Sequence, residues 1–258
     1  MMRNFKLVGL GARVDLRASL QDDAEASGSA IPVIMVQTLA SEILQSLSLD
    51  QLLVEKPAAV VITGSGRFFS GGADLRVVPT LSVAEQQEMV GGINRLFSGW
   101  HNFPRPVVCA VNGHAVAGGL ILALCGDHRV ASTSGQFGLT EVKVAIPFPS
   151  AAMAVVQAEL SPAAARRLVL HGELINSREA ASLGIFDEVV ADAAVVDRAF
   201  DAAVKMSTLP PVAFEIVKQQ LRLSSRSAST PGDSPVAGWV TNSEVSEAAQ
   251  RVLNGGGP

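Results

Sequence analysis

No tyrosine occurs among the 258 residues, and aromatic residues of every kind make up only 5 %. There is no run of lysine or arginine, and the formal net charge is −4. The chain therefore offers neither base-stacking platforms nor a phosphate-tracking groove, which argues against nucleic acid as a partner. Cysteine is scarce: Cys109 and Cys125, each inside an apolar segment. With no CxxC and no Cys/His cluster, no metal site is expected. Buried free thiols suit a reducing compartment better than a disulfide-stapled secreted protein, so a cytoplasmic location is expected. Long hydrophobic runs are also missing. The longest fall well short of the ~18 residues that suggest a membrane span, and none is expected. The opening MMRNFKLVGLGARVD has an apolar core of a few residues and no clean cleavage site, so no secretory signal is read. Three basic groups and no acid in its first fourteen residues leave a weak transit peptide open.

What is present is globular. Hydrophobic residues make up 48 % and charged residues 17 %, enough to bury a large core. Strand and helix signals alternate, which argues for an α/β fold. Apolar spacing at Met35, Leu39, Ile43, Leu44 and Leu47 predicts one amphipathic helix from Val33 to Leu53, after a polar loop over 15–31. AAVVITG (58–64) and FPRPVVCAVNG (103–113) read as buried strands, and HRVAST (128–133) and FDEVVA as further strands. Helices are predicted around 82–98 with Ser82 and Glu85 as a capping box, and over 119–125, apolar all round and so buried. Others follow at 161–172, opened by Ser161 and Pro162, and at 176–184. Residues 196–224 read as helical with a break at Pro210–Pro211, 224–238 as a loop, and SEVSEAAQRVL as a last short helix.

Two units share a rhythm: a buried strand, a glycine stop at 64 or 113, then Gly71–Gly72 or Gly118–Gly119. The intervening SGRFFSGGADL and HAVAGG read as Gly-rich loops. If their strands pair, the loops lie side by side, and glycine lets backbone amides approach a ligand closely. Two convergent N–H groups would form an oxyanion hole. Glu141, in FGLTEV among apolar neighbours, would have its pKa raised toward neutrality, as a general base requires. A base with an oxyanion hole and no strong nucleophile suggests proton abstraction next to a carbonyl. Taken alone, Glu141 reads as a surface acid at a strand end, and the glycine pairs as plain turns.

VVITGSGRFFSGGADL, PRPVVCAVNGHAVAGGLILALCGDHRVAS, GQFGLTEV and LVLHGELINSREAASLGIFDEVV together resemble the crotonase (enoyl-CoA hydratase/isomerase) superfamily from Ala58 to Val190. Ser29 to Pro32, then Met35 and Leu39, resemble the family's segment at the entry of its first helix. The resemblance implies an α/β spiral of ββα units over 1–195 and a C-terminal helical region over 196–258 that builds trimers, often stacked into hexamers. It implies an acyl-CoA thioester substrate, coenzyme A being part of that substrate and no other cofactor needed. Ala73 and Gly118 fall at the oxyanion donors. Ala30, Ile31, Gly71, Asp74, Leu75, Val116, Gly119, Ile121 and Thr140 fall along the implied substrate site. Of the two glutamates of the family's hydratases, one falls on Glu141 and the other on Ile121. The single-glutamate pattern resembles the Δ3,Δ2-enoyl-CoA isomerases, in which one base moves a proton from the α to the γ carbon. A hydratase recruiting an acid from elsewhere, and a non-catalytic acyl-CoA-binding member, are the rivals.

The remaining conspicuous residues have plainer readings. SGRFFSGG lacks the lysine of a phosphate-binding loop. Asp74 reads as orienting its loop, and Arg76 as either solvated or facing the CoA phosphates. His114 reads as packing, His101 and His171 as surface or helix-end residues, and Cys125 as core filler. Ile146, Pro147, Phe148 and Met153 suggest an apolar acyl pocket.

Overall fold

The computed structural model describes residues 4–6, 13–15, 33–37, 49–76, 78, 81–223 and 243–254. Two sheets carry the fold. The larger has seven strands in the order β1 (Asn4–Lys6), β2 (Arg13–Asp15), β3 (Val33–Gln37), β4 (Ala59–Thr63), β6 (Val107–Val111), β8 (His128–Ser132) and β11 (Glu188–Val190). It is antiparallel from β1 to β3 and parallel beyond. The smaller runs β10 (Ile175–Asn176), β9 (Gln136–Gly138), β7 (His114–Val116), β5 (Phe68–Ser70).

Three strands of the large sheet each hand over to one of the small sheet and then to a helical segment. β4 and β5 lead to α2 (Val83–His101), β6 and β7 to α3 (Gly118–Leu124), and β8 and β9 to a 3₁₀ turn at Glu141–Val144 and α4 (Ser150–Glu159). This is the expected ββα spiral. β4 and β6 are buried at every position because both faces are covered. Val60, Ile62, Val107, Cys109 and Val111 face a core built with Phe97 and Trp100 of α2 and Leu120 and Leu124 of α3. Ala59, Val61, Val108 and Ala110 face the other way, onto Val195, Ala199 and Ala203 of α7 (Val195–Ser207). Alanines on both sides of that second interface bring helix and sheet close together. A strand covered on both faces reads as a continuous apolar run, which is how these appear in the sequence.

α2 begins with the predicted capping box: the Ser82 hydroxyl accepts from Glu85 N, and the Glu85 carboxylate accepts from Ser82 N at 2.7 Å. α5 (Pro162–Ala165), capped by Ser161, continues as a π-turn over Arg166–Leu170. α6 (Ser177–Ser182) follows.

The helix predicted from Val33 to Leu53 is replaced at its start by a strand. Val33–Gln37 pairs in parallel with β4, from Val33↔Ala59 to Gln37↔Thr63, and only Leu49–Glu55 is helical there (α1). Pairing between two neighbours overrides the local apolar period. Both loops read as Gly-rich also contain a three-residue strand, β5 and β7. Residues 38–48, the entry segment with Ala30 and Ile31, and the loop of 224–238 lie outside the described residues.

α8 (Pro211–Leu221) is docked by buried charge. Lys218 Nζ meets Asp127 Oδ2 at 2.7 Å, and Arg222 reaches Asp127 Oδ1 at 3.2 Å and Glu159 Oε1 at 3.3 Å. Arg222 also donates to the carbonyls of His101, Cys125 and Gly126 at the C-terminal ends of α2 and α3. His101 is a helix-end residue but not a surface one. It is 2 % exposed and its Nε2 lies 2.9 Å from Glu159 Oε1. α9 (Ser243–Leu253) lies against the 3₁₀ turn of Glu141. No helix among the described residues is long and apolar enough to cross a membrane.

Candidate active site

The two glycine turns meet because β5 and β7 pair in parallel, with Phe68 opposite His114 and Ser70 opposite Ala115. After β5 the chain bends at Gly72, whose φ is +81°, a value that favours glycine. A Cβ on Gly72 would stand 3.1 Å from both Ala117 Cβ and Gly118 N. A Cβ on Gly119 would stand 2.1 Å from the Ser70 carbonyl oxygen. The first turn of α3 therefore lies directly on the turn after β5.

Ala117 sits between β7 and α3 at φ +54°, ψ −129°, a conformation that costs about 1–3 kcal/mol for a residue with a Cβ. Its N–H donates to Gly138 O at 2.8 Å, and its carbonyl accepts from Leu120 N and Ile121 N. That arrangement leaves the Gly118 N–H without an acceptor among the described residues, and Ala73 N–H is in the same state. These are the two amides expected as oxyanion donors, and the contact between Gly72 and Gly118 makes them neighbours.

Glu141 is brought to the same end of the small sheet. Val116 pairs with Gly138 in the β7–β9 ladder, and Glu141 follows three residues later as the first residue of the 3₁₀ turn. It is 8 % exposed, and its Oε2 is buried with no hydrogen-bond partner. Burial pushes its pKa up from 4.5 to about 7, opposed only by a hydrogen bond to its own backbone. Among the described residues it is the one carboxylate moved upward. Asp74, Glu85, Glu159, Glu173, Glu179, Glu188 and Asp192 all move down.

The other expected positions sort by neighbourhood. Thr140 and Val116 are half-buried beside Glu141 and Gly118, and Gly71 is exposed at the mouth of its turn. Asp74 accepts from Arg76 N and from the Arg76 side chain at 2.9 and 2.7 Å, which keeps its carboxyl low and shapes the loop. Leu75 is half-buried in that loop. Gly119 is buried beneath Ser70, and Ile121 is 2 % exposed within α3, so no acid stands there. His114 packs on Phe68 at 5.0 Å, and its Nδ1 accepts from Gln136 N. Burial pushes the thiols of Cys109 and Cys125 far up, so neither is a nucleophile. Sequence reasoning missed Ser70, whose hydroxyl accepts from Gly72 N at 3.2 Å. A serine directly before a glycine pair was its signal.

A ββα spiral that brings a buried acid and two amides without acceptors among the described residues to one end of its small sheet suits enolate chemistry, and those residues hold no group of metal ligands. The family model described as Enoyl-CoA hydratase/isomerase matches residues 35–233, and the chain belongs to that family, within the crotonase superfamily. It is similar to the 2,3-dehydroadipyl-CoA hydratase of Escherichia coli, 30 % identical over 205 residues that cover 75 % of this chain and 78 % of that protein. Among solved structures, the enoyl-CoA hydratase of Mycobacterium ulcerans Agy99 superposes with a TM-score of 0.73 at 28 % identity, over 81 % of this chain and 94 % of that one. An apo enoyl-CoA isomerase of Mycobacterium tuberculosis gives 0.72 at 29 %, over 81 % and 94 %. The protein is thus an acyl-CoA-processing enzyme of the enoyl-CoA hydratase/isomerase family.

Proposed function

We propose that the enzyme shifts the double bond of a 3-enoyl-CoA to the 2,3 position. The observation that carries this reading is the solitary acid: Glu141 is buried with its Oε2 unpartnered, and the position that would hold a second acid is Ile121. In the proposed reaction, the thioester oxygen accepts hydrogen bonds from Ala73 N–H and Gly118 N–H. Glu141 removes an α proton, and its electron pair moves into the carbonyl to give a dienolate held by the two amides. The same carboxyl returns that proton to the γ carbon, the 2,3 double bond forms, and the carbonyl is restored. No water is consumed, and one base serves both transfers. Gly71, Asp74, Leu75, Val116, Gly119, Ile121 and Thr140 would line the path of the acyl-CoA, which itself brings coenzyme A.

The hydratase reading has the names of relatives such as the Escherichia coli enzyme in its favour. Against it stands the requirement of hydration for a water held by acid and base together, which isoleucine cannot supply. Assay on trans-3-hexenoyl-CoA and on crotonyl-CoA separates the two. The expected result is conjugation of the first at least tenfold faster than water addition to the second; the reverse order would overturn the isomerase reading. A binding-only member would show neither reaction and no exchange of α protons.

The oligomer is proposed on similar grounds. α8 and its flanks leave Leu209, Val212, Ile216, Val217, Leu221 and Leu223 exposed, an apolar face of the kind that covers itself by association. A homotrimer is expected, and a sedimentation-equilibrium mass equal to that of one chain would exclude it.

A further inference from the structure

No other residue among those described hydrogen-bonds the Glu141 carboxylate: its Oε2 is without a partner, and the one hydrogen bond it has is to its own backbone. Bases in active sites are commonly aimed by a third residue; here that device is missing. The turn that carries Glu141 is a single 3₁₀ turn, a weak element on its own, and it ends at Ala145 with φ +55°. α9 lies against one side of it, and a second element holds it from elsewhere.

The segment from Gly138 to Lys143 is gripped at both ends by one distant loop. At its start, a Cβ on Gly138 would stand 2.2 Å from the Glu173 carbonyl oxygen and 2.9 Å from Leu174 Cδ2. At its end, Gly172 has φ +59°, and a Cβ there would stand 3.1 Å from Lys143 Cγ, Lys143 Cε and Val142 Cγ1. Glu141 lies between these contacts. The loop is itself anchored on two sides. β10 pairs antiparallel with β9, Ile175 opposite Phe137 and Asn176 opposite Gln136. Arg167, on the π-turn, binds the Glu173 carboxylate and, at 3.0 Å, Glu179.

We infer that the loop His171–Leu174 is a steric brace that sets the position of Glu141, with Gly172 as its positioning residue. This rests on Glu141 being the proton shuttle. The brace acts through shape alone: a side chain at 172 moves Val142 and Lys143, and the carboxylate moves with them. A displacement of about 1 Å can cost about 10²-fold in a proton transfer that depends on alignment, so a few tenths of an ångström suffices for a visible loss.

The test is exchange of the α protons of butyryl-CoA in D2O, with folding followed by circular dichroism. Gly172→Ala is expected to lower the saturated exchange rate about tenfold with the half-saturating concentration within about twofold. Adding Val142→Ala and Lys143→Ala removes the atoms the new methyl meets and is expected to restore most of the rate. The same two changes with Gly172 intact leave the contact of Gly138 with Glu173 and Leu174 in place and are expected to cost no more than about threefold. A wild-type rate in Gly172→Ala, or a loss that this relief does not mend, overturns the brace. Should Gly172→Ala not fold, Glu173→Gln in the half-exposed pair with Arg167 serves instead: about a threefold fall in rate at unchanged half-saturation is expected, and no fall overturns the brace. Wild-type exchange in Glu141→Gln would instead strike down the shuttle assignment, and the brace with it.

Discussion

Glu141→Gln is expected to lower enoyl-CoA turnover by about 10²–10⁴-fold, the range that a positioned acid–base group contributes, with acyl-CoA affinity by calorimetry within about threefold. Glutamine matches the carboxylate in size, and its amide replaces an Oε2 that has no partner to lose, so the pocket keeps its shape while the proton acceptor is gone. Turnover within tenfold of the parent enzyme would defeat the assignment. The parent pH–rate profile carries the same information. The base must be ionised, so turnover is expected to fall with unit slope below the folded pKa of about 7, and that limb should vanish from the residual activity of the variant.

The same substitution has a consequence for stability, opposite in sign to the usual carboxylate. The pKa of Glu141 lies near 4.5 when solvated and about 7 when folded, so between those values the native state holds a proton that the unfolded chain has lost. Stability therefore falls as pH rises from about 4.5 to about 7, and above that the burial of charge costs on the order of 3 kcal/mol. Glu141→Gln is expected to melt several degrees higher than the parent at pH 8 and at the same temperature at pH 4.5, by differential scanning calorimetry. Such an exchange of stability for reactivity is what a strained, desolvated active-site group implies.

The second large effect is expected far from that site. Asp127→Ala should destabilise the fold by about 3–5 kcal/mol. Asp127 is the carboxylate on which Lys218 and Arg222 converge, and its Oδ2 also accepts from Val107 N at 2.8 Å. Lys218 and Arg222 are 6 % and 5 % exposed. Removing the carboxylate strands the ammonium without its ion-pair partner and takes from Arg222 one of the two carboxylates it meets. Urea denaturation reads the loss, and limited proteolysis is expected to cut near α8 first, since these contacts dock it. A companion variant, Asp127→Leu with Lys218→Met, removes both charges together and should lose far less, because a buried pair replaced by apolar groups of similar volume is often nearly neutral. A loss below about 1 kcal/mol in Asp127→Ala would show that the network does not hold α8.

Local pattern made some elements legible and hid others. β4 and β6 are short apolar runs bounded by glycine or polar residues, and the Ser82–Glu85 and Ser161–Pro162 signals mark helix starts by hydrogen bonds made within one turn. β3, paired on both sides, was hidden because its run VIMV shows no period of two, and its apolar residues merged with those further along into a helical spacing. β5, β7 and β9, three residues each, are too short to show any period. Their existence depends on one another, and so does the second sheet. His101 looked like a helix end, but its burial comes from Glu159 and Arg222, 58 and 121 residues away.

By itself the sequence determined the alternation of strands and helices, the two glycine pairs at 71–72 and 118–119, and a single carboxylate at 141 with isoleucine at 121. These are matters of covalent identity and of bonds closed within a few residues. Only the tertiary structure decided that the glycine turns abut, that two amides are left without acceptors among the described residues, and that Glu141 loses its water. It also decided that a loop thirty residues downstream grips the turn carrying that acid. Desolvation and steric support belong to atoms distant along the chain, and no local pattern encodes them.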